Sequence, residues 1–251
     1  AGPTRWDVPL PLAGFRLYDA AAVYDHQAEQ WYVTAVDWPV PLARRRPSAA
    51  SRLAGLRDRL ASAAAMPPPG PPPAPTSSPV RVNMSKDAYF AKVNRAKRYI
   101  EAGDIYQVNL TQRFMTRTDV SPLMLYRRLR RSSPSSHAAF LPWDGVTVLS
   151  SSPELFLDLR DGHVVTRPIK GTRPRVGDAH QDAIHRRQLN KSDKERAELN
   201  MIVDLLRNDL GRVCKLGSIQ VVSAGDIEEH PTVFHRVATI EGDLAARRTW
   251  L

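Results

Sequence analysis

A lysine at position 170 lies in the stretch TRPIKGTRPR, where a short strand-like run ends in a Gly-Thr turn. Three arginines, Arg167, Arg173 and Arg175, flank it closely. Neighbouring positive charge disfavours the ammonium form of a lysine, and the neutral amine is a nucleophile. The amides and hydroxyl of the Gly-Thr turn could also hold an anion. The stretch therefore predicts either a nucleophilic lysine beside an anion site or an ordinary surface lysine.

Two glutamates stand one turn apart in the long helical segment KERAELNMIVDLLRNDL, at Glu195 and Glu198. On a helical wheel, Glu198 shares one stripe with four other residues, Met201, Ile202, Leu205 and Asp209. A carboxylate on an apolar stripe needs a cationic partner, either an arginine from another element or Mg²⁺. Ser192 and Glu195 have the spacing of a capping box, which explains Glu195 better than metal binding does.

A further carboxylate, Glu154, opens the run ELFLDLR, and the Asp161-Gly162 pair that follows predicts a tight hairpin. Counting symmetrically from this turn places Glu154 opposite residue 169 or 170. We therefore expect a carboxylate beside Lys170, either as a salt bridge or as a general acid/base partner. His235 lies in the apolar run VFHRVATI, where a lone histidine is more often a hydrogen-bonded core group than a catalytic one.

The elements that position these residues follow from caps, periodicity and turns. Ser85 and Ser121 are expected to cap two helices, and Gly103 to end the first. Alternating side chains over residues 105–114, IYQVNLTQRF, predict a strand. More strands are predicted in AAFLP, VTVLSSSPELFLDLR, HVVTRPI, SIQVVSAG and FHRVATIEGDL. Strands outnumber helices and hairpins dominate, so the predicted class is α+β, with antiparallel sheets and packed helices.

Prolines dominate residues 66–80, which we predict to be an extended, semi-rigid linker. The linker separates residues 1–65, with two strands and a helix too few to form a good core, from residues 81–251. The shorter piece is therefore expected to be the remnant of an N-terminal domain.

Composition narrows the classes of function for these 251 residues. The single cysteine, Cys214, excludes a disulfide framework and favours a reducing compartment such as the cytoplasm. The net charge of +10 permits nucleic-acid binding, but no aromatic-interleaved basic strand or zinc-ligand spacing accompanies it. No apolar run reaches the roughly 18 residues of a membrane helix. Neither nucleic acid nor a membrane is an expected partner, and a site for an anionic small molecule explains the charge more simply.

Five segments carry a resemblance to a known family: YIEAGDIYQVNLTQRF, SSPELF, RPIKGTRPR, KERAELNMIVDLLRNDLGRV and HRVATIEGDL. Together and in this order they resemble the chorismate-utilising enzymes, specifically component I of aminodeoxychorismate synthase and of anthranilate synthase. The resemblance implies the chorismate-binding fold, with residues 1–65 as part of a regulatory-type domain. It also implies chorismate as substrate, Mg²⁺ as cofactor, and ammonia from a glutamine amidotransferase, as a subunit or a fused domain.

The resemblance also implies roles for individual residues. Glu198, in the segment RAE, falls on a metal-ligand position, in agreement with the wheel argument. Gly171 and Thr172 fall on positions that contact chorismate. Glu154 and His235 fall on positions beside the substrate ring.

Position 170 distinguishes two branches of the family. Anthranilate synthases usually carry alanine there, whereas aminodeoxychorismate synthases that resemble this chain carry lysine. The resemblance implies that the Lys170 amine adds to a ring carbon, displaces the C4 hydroxyl, and is itself displaced by ammonia. The expected function is synthesis of 4-amino-4-deoxychorismate on the route to p-aminobenzoate and folate.

Two departures from the family pattern leave alternatives open. The chain reads SPSSHAAF where feedback-regulated members carry a Pro-Tyr segment, so tryptophan inhibition is not expected. The Gly-Ala-Pro-Lys segment and the other Mg²⁺ glutamates of the C-terminal part are not found, so a central fragment is expected. The alternatives are anthranilate synthase component I and a catalytically inactive fragment.

Overall fold

The computed structural model describes residues 14, 16–37, 47–67, 70–71 and 78–246. The chain divides into two compact units, Ala1–Pro71 and Pro72–Leu251. The predicted linker at residues 66–80 falls largely outside the described residues, so its extended conformation stays a prediction.

The first unit is a hairpin with one helix. Strands β1 (Ala20–Asp25) and β2 (Gln30–Ala35) pair antiparallel, with Ala20 opposite Ala35. Helix α1 (Ala49–Ala64) begins where the Ser48 hydroxyl accepts from the Ser51 amide, and it contacts both strands.

The second unit begins with two short strands and two helices, β3 (Arg81–Val82), α2 (Lys86–Glu101), β4 (Phe114–Met115) and α3 (Pro122–Ser132). Both predicted N-caps are confirmed, because the Ser85 and Ser121 hydroxyls accept from Ala88 and Met124 amides. Gly103, just beyond α2, has φ +78°, as expected for a residue that ends a helix.

The strand predicted over residues 105–114 is wrong for most of its length. Only Phe114, its last residue, lies in a strand, where it pairs with Val82. Alternating side chains are typical of a strand, but a strand also needs a neighbouring segment whose backbone groups hydrogen-bond with its own. In the described part of the chain only the two residues of β3 do so here.

The central sheet is antiparallel, in the order β10-β11-β8-β7, and β9 pairs with β11 beside β8. Its strands are β7 (Leu155–Arg160), β8 (His163–Arg167), β9 (Ile169–Pro174), β10 (Gln220–Glu229) and β11 (Val233–Asp243). The β7–β8 turn is formed by Asp161 and Gly162, with φ +51° and +81°, as the hairpin prediction requires. A separate hairpin joins β5 (His137–Trp143) to β6 (Val146–Ser152). The predicted α+β class is therefore confirmed.

Two helices, α4 (Ala179–Lys191) and α5 (Asp193–Gly211), pack on this sheet. The core joins α5 to β8 and β11, and it contains Leu199, Val203 and Leu210 with Val164, Ala238 and Ile240. This corrects the wheel argument: the buried face of α5 runs through positions 199, 203, 206 and 210, and Glu198 stands beside it. The helical wheel shows which residues share a face of the helix, but only packing against β8 and β11 determines which of these faces is buried.

Among the described helices, none combines enough length with enough apolar character to cross a membrane.

Candidate active site

Lys170 sits in a β-bulge where β9 runs along β11. Thr172 pairs with His235 and Ile169 pairs with Val237, so the two residues Lys170 and Gly171 face a single residue of β11. Such a bulge interrupts the regular alternation of side chains and re-aims the residue within it. Just before it, Pro168 contributes no amide donor, while its carbonyl accepts from the Ala238 amide at 3.1 Å.

Gly171 makes the bulge possible. Its φ is +88°, in the left-handed region that favours glycine. A Cβ at this position would lie 2.8 Å from Cδ1 of Leu189 and 3.1 Å from both Cβ and Oε2 of Glu195. Helices α4 and α5 thus close directly over the residue after Lys170. The glycine is therefore required by its backbone conformation and by its neighbours, whatever else it contacts.

Thr172 and His235 form a hydrogen-bonded pair across β9 and β11. The threonine Oγ1 lies 3.0 Å from Nδ1 of the buried imidazole. Burial lowers the pKa of His235 below its ordinary value, and the nearby His230 lowers it further. His235 is therefore neutral at pH 7, and it presents a hydrogen-bonded imidazole next to the bulge.

Glu154 reaches the same segment from the start of β7. Its Oε1 accepts from the Ile169 amide at 2.9 Å, which confirms the position predicted from the hairpin. The predicted salt bridge is wrong, however, because no carboxylate of the described residues lies within ion-pair distance of the Lys170 amine. The carboxylate binds the backbone beside the lysine, and a general acid/base role stays a prediction.

The three flanking arginines are each paired with a carboxylate. Arg167 bonds to Glu228, Arg173 Nη1 lies 3.3 Å from Oε1 of Glu195, and Arg175 Nε lies 4.0 Å from Oδ2 of Asp182. The cationic surroundings expected for Lys170 are thus largely compensated. The half-buried amine, by contrast, has no such carboxylate partner in the described chain.

Glu195 performs only half of the predicted capping box. Its amide donates to the Ser192 hydroxyl at 3.3 Å, as expected. Its carboxylate, however, turns to Arg173, while the Ser192 amide donates to the Leu189 carbonyl at 3.4 Å. An arginine on a neighbouring strand therefore draws the glutamate away from its own helix end.

Among the described residues, no arginine pairs with Glu198, although an arginine was one of the two partners that the sequence suggested. Its carboxylate lies 3.7 Å from the exposed Lys194 amine on the same helix, and its side chain keeps 43% of its surface exposed. Within the described ranges, no group of three or more His, Cys, Asp or Glu side chains could hold a metal ion. The carboxylates of Glu195 and Glu198 still fit Mg²⁺ as a donor set, because this ion often takes one or two protein carboxylates and completes its shell with water and substrate oxygens.

The predicted site residues converge on one segment. Ile169, Gly171 and Thr172, around Lys170, contact Glu154, Glu195 and His235, each from a different element. A cavity of about 290 Å³ opens beside Glu154, between β7, β8 and α5, and it is lined by Ser152, Thr166, Pro168, Ile202 and Leu206 among others. Only Glu198 stands apart from these contacts.

Two contributors to this site were missed from the sequence. Leu189 of α4 packs over Gly171, and His230 packs against His235 with ring centroids 5.0 Å apart. The Pro231 turn between β10 and β11 could have indicated that His230 folds back towards His235. The position of Leu189 depends on how α4 lies on the sheet, which no local pattern indicates.

Comparison with known proteins identifies the family of this chain. The family of chorismate binding enzymes matches residues 1–251. The chain belongs to the chorismate-binding enzyme family. This confirms the resemblance seen in the five segments of the sequence.

Relatives of this chorismate-binding enzyme carry two names. Aminodeoxychorismate synthase component 1 of Klebsiella aerogenes is 39% identical over 96% of this chain and 49% of that protein. Anthranilate synthase component 1 of Thermus thermophilus is 37% identical over 97% of this chain and 51% of that protein. The chain thus spans about half the length of the curated relatives it matches.

Solved structures support the same chorismate-binding fold. Anthranilate synthase component I from Streptococcus pneumoniae superposes with a TM-score of 0.74 at 26% identity, over 92% of this chain and 50% of that one. A protein described as a putative isochorismate synthase of Bacillus anthracis gives a TM-score of 0.59 at 21% identity, over 70% and 48% of the two chains. The second likeness shows the fold alone.

Proposed function

We propose that this chorismate-binding enzyme is component I of an aminodeoxychorismate synthase, which converts chorismate and ammonia to 4-amino-4-deoxychorismate for p-aminobenzoate and folate synthesis. The observation that carries the proposal is Lys170, a half-buried amine without a carboxylate partner in the described chain, at a bulge that Glu154, Glu195 and His235 surround. The relatives named aminodeoxychorismate synthase support it.

The proposed chemistry uses Lys170 as a covalent nucleophile. The deprotonated amine forms a bond to the ring carbon next to the carboxylate-bearing carbon, both ring double bonds shift by one position, and the C4 hydroxyl leaves as water after it gains a proton. Ammonia then forms a bond to C4, both double bonds shift back, and the bond to Lys170 breaks. The electrons balance without an oxidant or reductant, and the lysine is regenerated.

The neighbouring groups suit the proton transfers and the orientation that these steps need. His235, neutral and fixed on Thr172, can accept a proton from the lysine or from the incoming ammonia. Glu154 stands on the other side of Lys170, at the Ile169 amide, and can donate a proton to the departing hydroxyl when it is protonated. Gly171 keeps the backbone in the left-handed conformation that the bulge beside Lys170 requires.

A magnesium ion would neutralise the carboxylate charge of chorismate. Glu198 is the better ligand of the two candidates, because its carboxylate is half exposed and its partner, Lys194, is a solvated surface amine. Glu195 would bind the ion only if it released Arg173. The ammonia would come from a glutamine amidotransferase partner, in keeping with the component 1 names of the relatives.

The test of this function is mass spectrometry of the full-length protein incubated with chorismate and Mg²⁺ but without ammonia. We expect an adduct of chorismate less one water on the peptide that contains Lys170. Lys170→Ala should abolish both the adduct and aminodeoxychorismate synthesis with ammonium salts. Lys191→Ala, at the exposed end of α4, is the matched control and should leave both unchanged.

Two outcomes would contradict the assignment. An active protein that forms no adduct on that peptide would remove the covalent role of Lys170. Retention of synthesis in Lys170→Ala would do the same, provided that the variant keeps the wild-type unfolding midpoint.

Anthranilate synthesis is the second candidate, and it is favoured by the similar identity of the Thermus relative and by the superposition on the Streptococcus structure. The two products differ, because anthranilate is aromatic and is released after pyruvate is lost, whereas aminodeoxychorismate keeps its enolpyruvyl group. Product fluorescence together with pyruvate release would identify anthranilate, and their absence with chorismate consumed would favour aminodeoxychorismate.

A further inference from the structure

His230 occupies the turn between β10 and β11, directly behind His235. Its ring packs on His235 with centroids 5.0 Å apart and an interplanar angle of 66°. Its own amide donates to the Val233 carbonyl at 2.9 Å, so the turn holds the residue in place. The His230 ring therefore packs in a fixed position against one side of the His235 ring.

The ring nitrogen Nε2 of His230 is buried and lacks a hydrogen-bond partner among the described residues. The nearest carboxylate oxygen, Oε2 of Glu228, lies 4.0 Å away. A buried polar atom without a partner is costly to the fold, and a phenylalanine would fill the same space without that cost. The histidine at this position therefore needs a reason other than packing.

The opposite side of His235 is held by the segment that follows Lys170. Thr172 Oγ1 lies 3.0 Å from Nδ1 of the imidazole. The His235 ring is thus clamped between the β9 bulge and His230. Any change in the His230 ring is transmitted to the group that touches the bulge.

We propose that His230 is a positioning residue that clamps the imidazole of His235 against Thr172 and, as a second imidazole in the same site, opposes its protonation. Two imidazoles at this distance repel each other when both are charged, so His230 disfavours the charged form of His235. This adds a role for His230 to the proposed function, in which His235 acts as the neutral base.

The other charged groups around the pair do not reproduce this effect. Glu228 and Glu154 both favour the charged form of His235, opposite to the effect of His230. Arg167 is engaged by Glu228, and Arg175 donates to the His230 carbonyl at 3.3 Å rather than to either ring. Of the titratable groups that act on the pKa of His235, His230 is the one that lowers it, so its removal should make the imidazole easier to protonate.

The test is a pH titration of the histidine side chains by nitrogen-15 NMR on the full chain, without substrate. In His230→Phe, which keeps an aromatic ring at the position, we expect the midpoint of His235 to move upward. His180→Phe, an exposed site on α4, is the control and should leave His235 unchanged.

An unchanged His235 midpoint in His230→Phe would overturn the proposal. His230→Gln is the second variant, and it should also raise the midpoint while it loosens the ring, seen as averaged imidazole shifts. Because these readouts need no turnover, they remain decisive even if the protein makes no aminodeoxychorismate. If it does, the acid limb of the kcat/KM profile should move to higher pH in His230→Phe.

Discussion

At the scale of single residues, the candidate site depends on Gly171 as much as on the groups with chemistry. This glycine lets β9 bulge, and it lets Leu189 and Glu195 close over the chain beside Lys170. A side chain here would be strained by φ and would collide with Leu189. The position of Lys170 is therefore held by a residue that has no functional group.

Replacement of this glycine tests that dependence. Gly171→Ala should lower the free energy of unfolding by roughly 2–4 kcal/mol, from left-handed backbone strain and from overpacking. Gly145→Ala is the matched control, because Gly145 has φ +73° but no atom within 4 Å of its would-be Cβ. It should cost only the backbone share, about 1–2 kcal/mol. Urea unfolding measures both, and equal losses would show that contact with α4 and α5 is unimportant.

At the scale of elements, one face of α5 packs on the central sheet, and the adjacent face carries the two candidate metal-binding glutamates. Leu199, Val203 and Leu210 attach the helix to β8 and β11, while Glu195, in its first turn, reaches Arg173 of β9 and Glu198 stands beside the buried face. A shift of the helix by one residue position would exchange buried and exposed residues and would carry the glutamates away. Packing of the apolar face therefore sets where the carboxylates stand.

The identity of the buried face can be measured. Leu199→Ala removes a fully buried side chain and should cost roughly 2–5 kcal/mol of unfolding free energy. Leu205→Ala, on the exposed side of the same helix, should change it by about 0.5 kcal/mol or less. The helical wheel had instead placed Leu205 on the covered stripe. Comparable losses of unfolding free energy at Leu199 and Leu205 would therefore contradict the buried face described here.

At the scale of the whole molecule, the free energy of unfolding should depend on pH because a histidine of β8 contacts two carboxylates of β11 in the central sheet. His163 of β8 lies 3.0 Å from Oδ1 of Asp243 and 3.5 Å from Oε2 of Glu241, both on β11. The hydrogen bond to Asp243 raises the pKa of His163 above its ordinary value. Because the pKa of His163 is higher in the folded state than in the unfolded state, the contact with Asp243 stabilises the fold fully at pH values below the unfolded-state pKa. This stabilisation is lost as the pH rises through the folded-state pKa.

Comparison of wild type with His163→Gln tests this contact. The wild-type advantage in urea midpoint should be largest near pH 5.5 and should shrink by pH 8.5, when the imidazole is neutral in both states. At much lower pH the advantage should fall again, because the pKa of Asp243 is lowered by His163 and the contact is lost once that carboxyl is protonated. A difference that stays constant from pH 5.5 to 8.5 would contradict the ionic contribution.

Local signals predicted the helix starts and the main hairpin. Ser85, Ser121 and Ser192 cap helices as expected, and Asp161-Gly162 turns the chain at the predicted residue. Each of these depends on atoms a few residues apart. The same hairpin brought Glu154 to the Ile169 amide, which the symmetric count had anticipated to within a residue.

Motifs, caps and turns act over short stretches of chain, so they were enough to predict the family, the α+β class and most of the residues near Lys170. The packing of distant elements set three further outcomes: residues 105–113 do not form a strand, α5 buries Leu199 rather than the stripe of Glu198, and Glu195 turns to Arg173. Each of these outcomes depends on a distant partner: a neighbouring strand, a covering sheet or a competing guanidinium. A sequence pattern indicates which residues need such a partner, but the packing of the elements determines which partner each residue contacts.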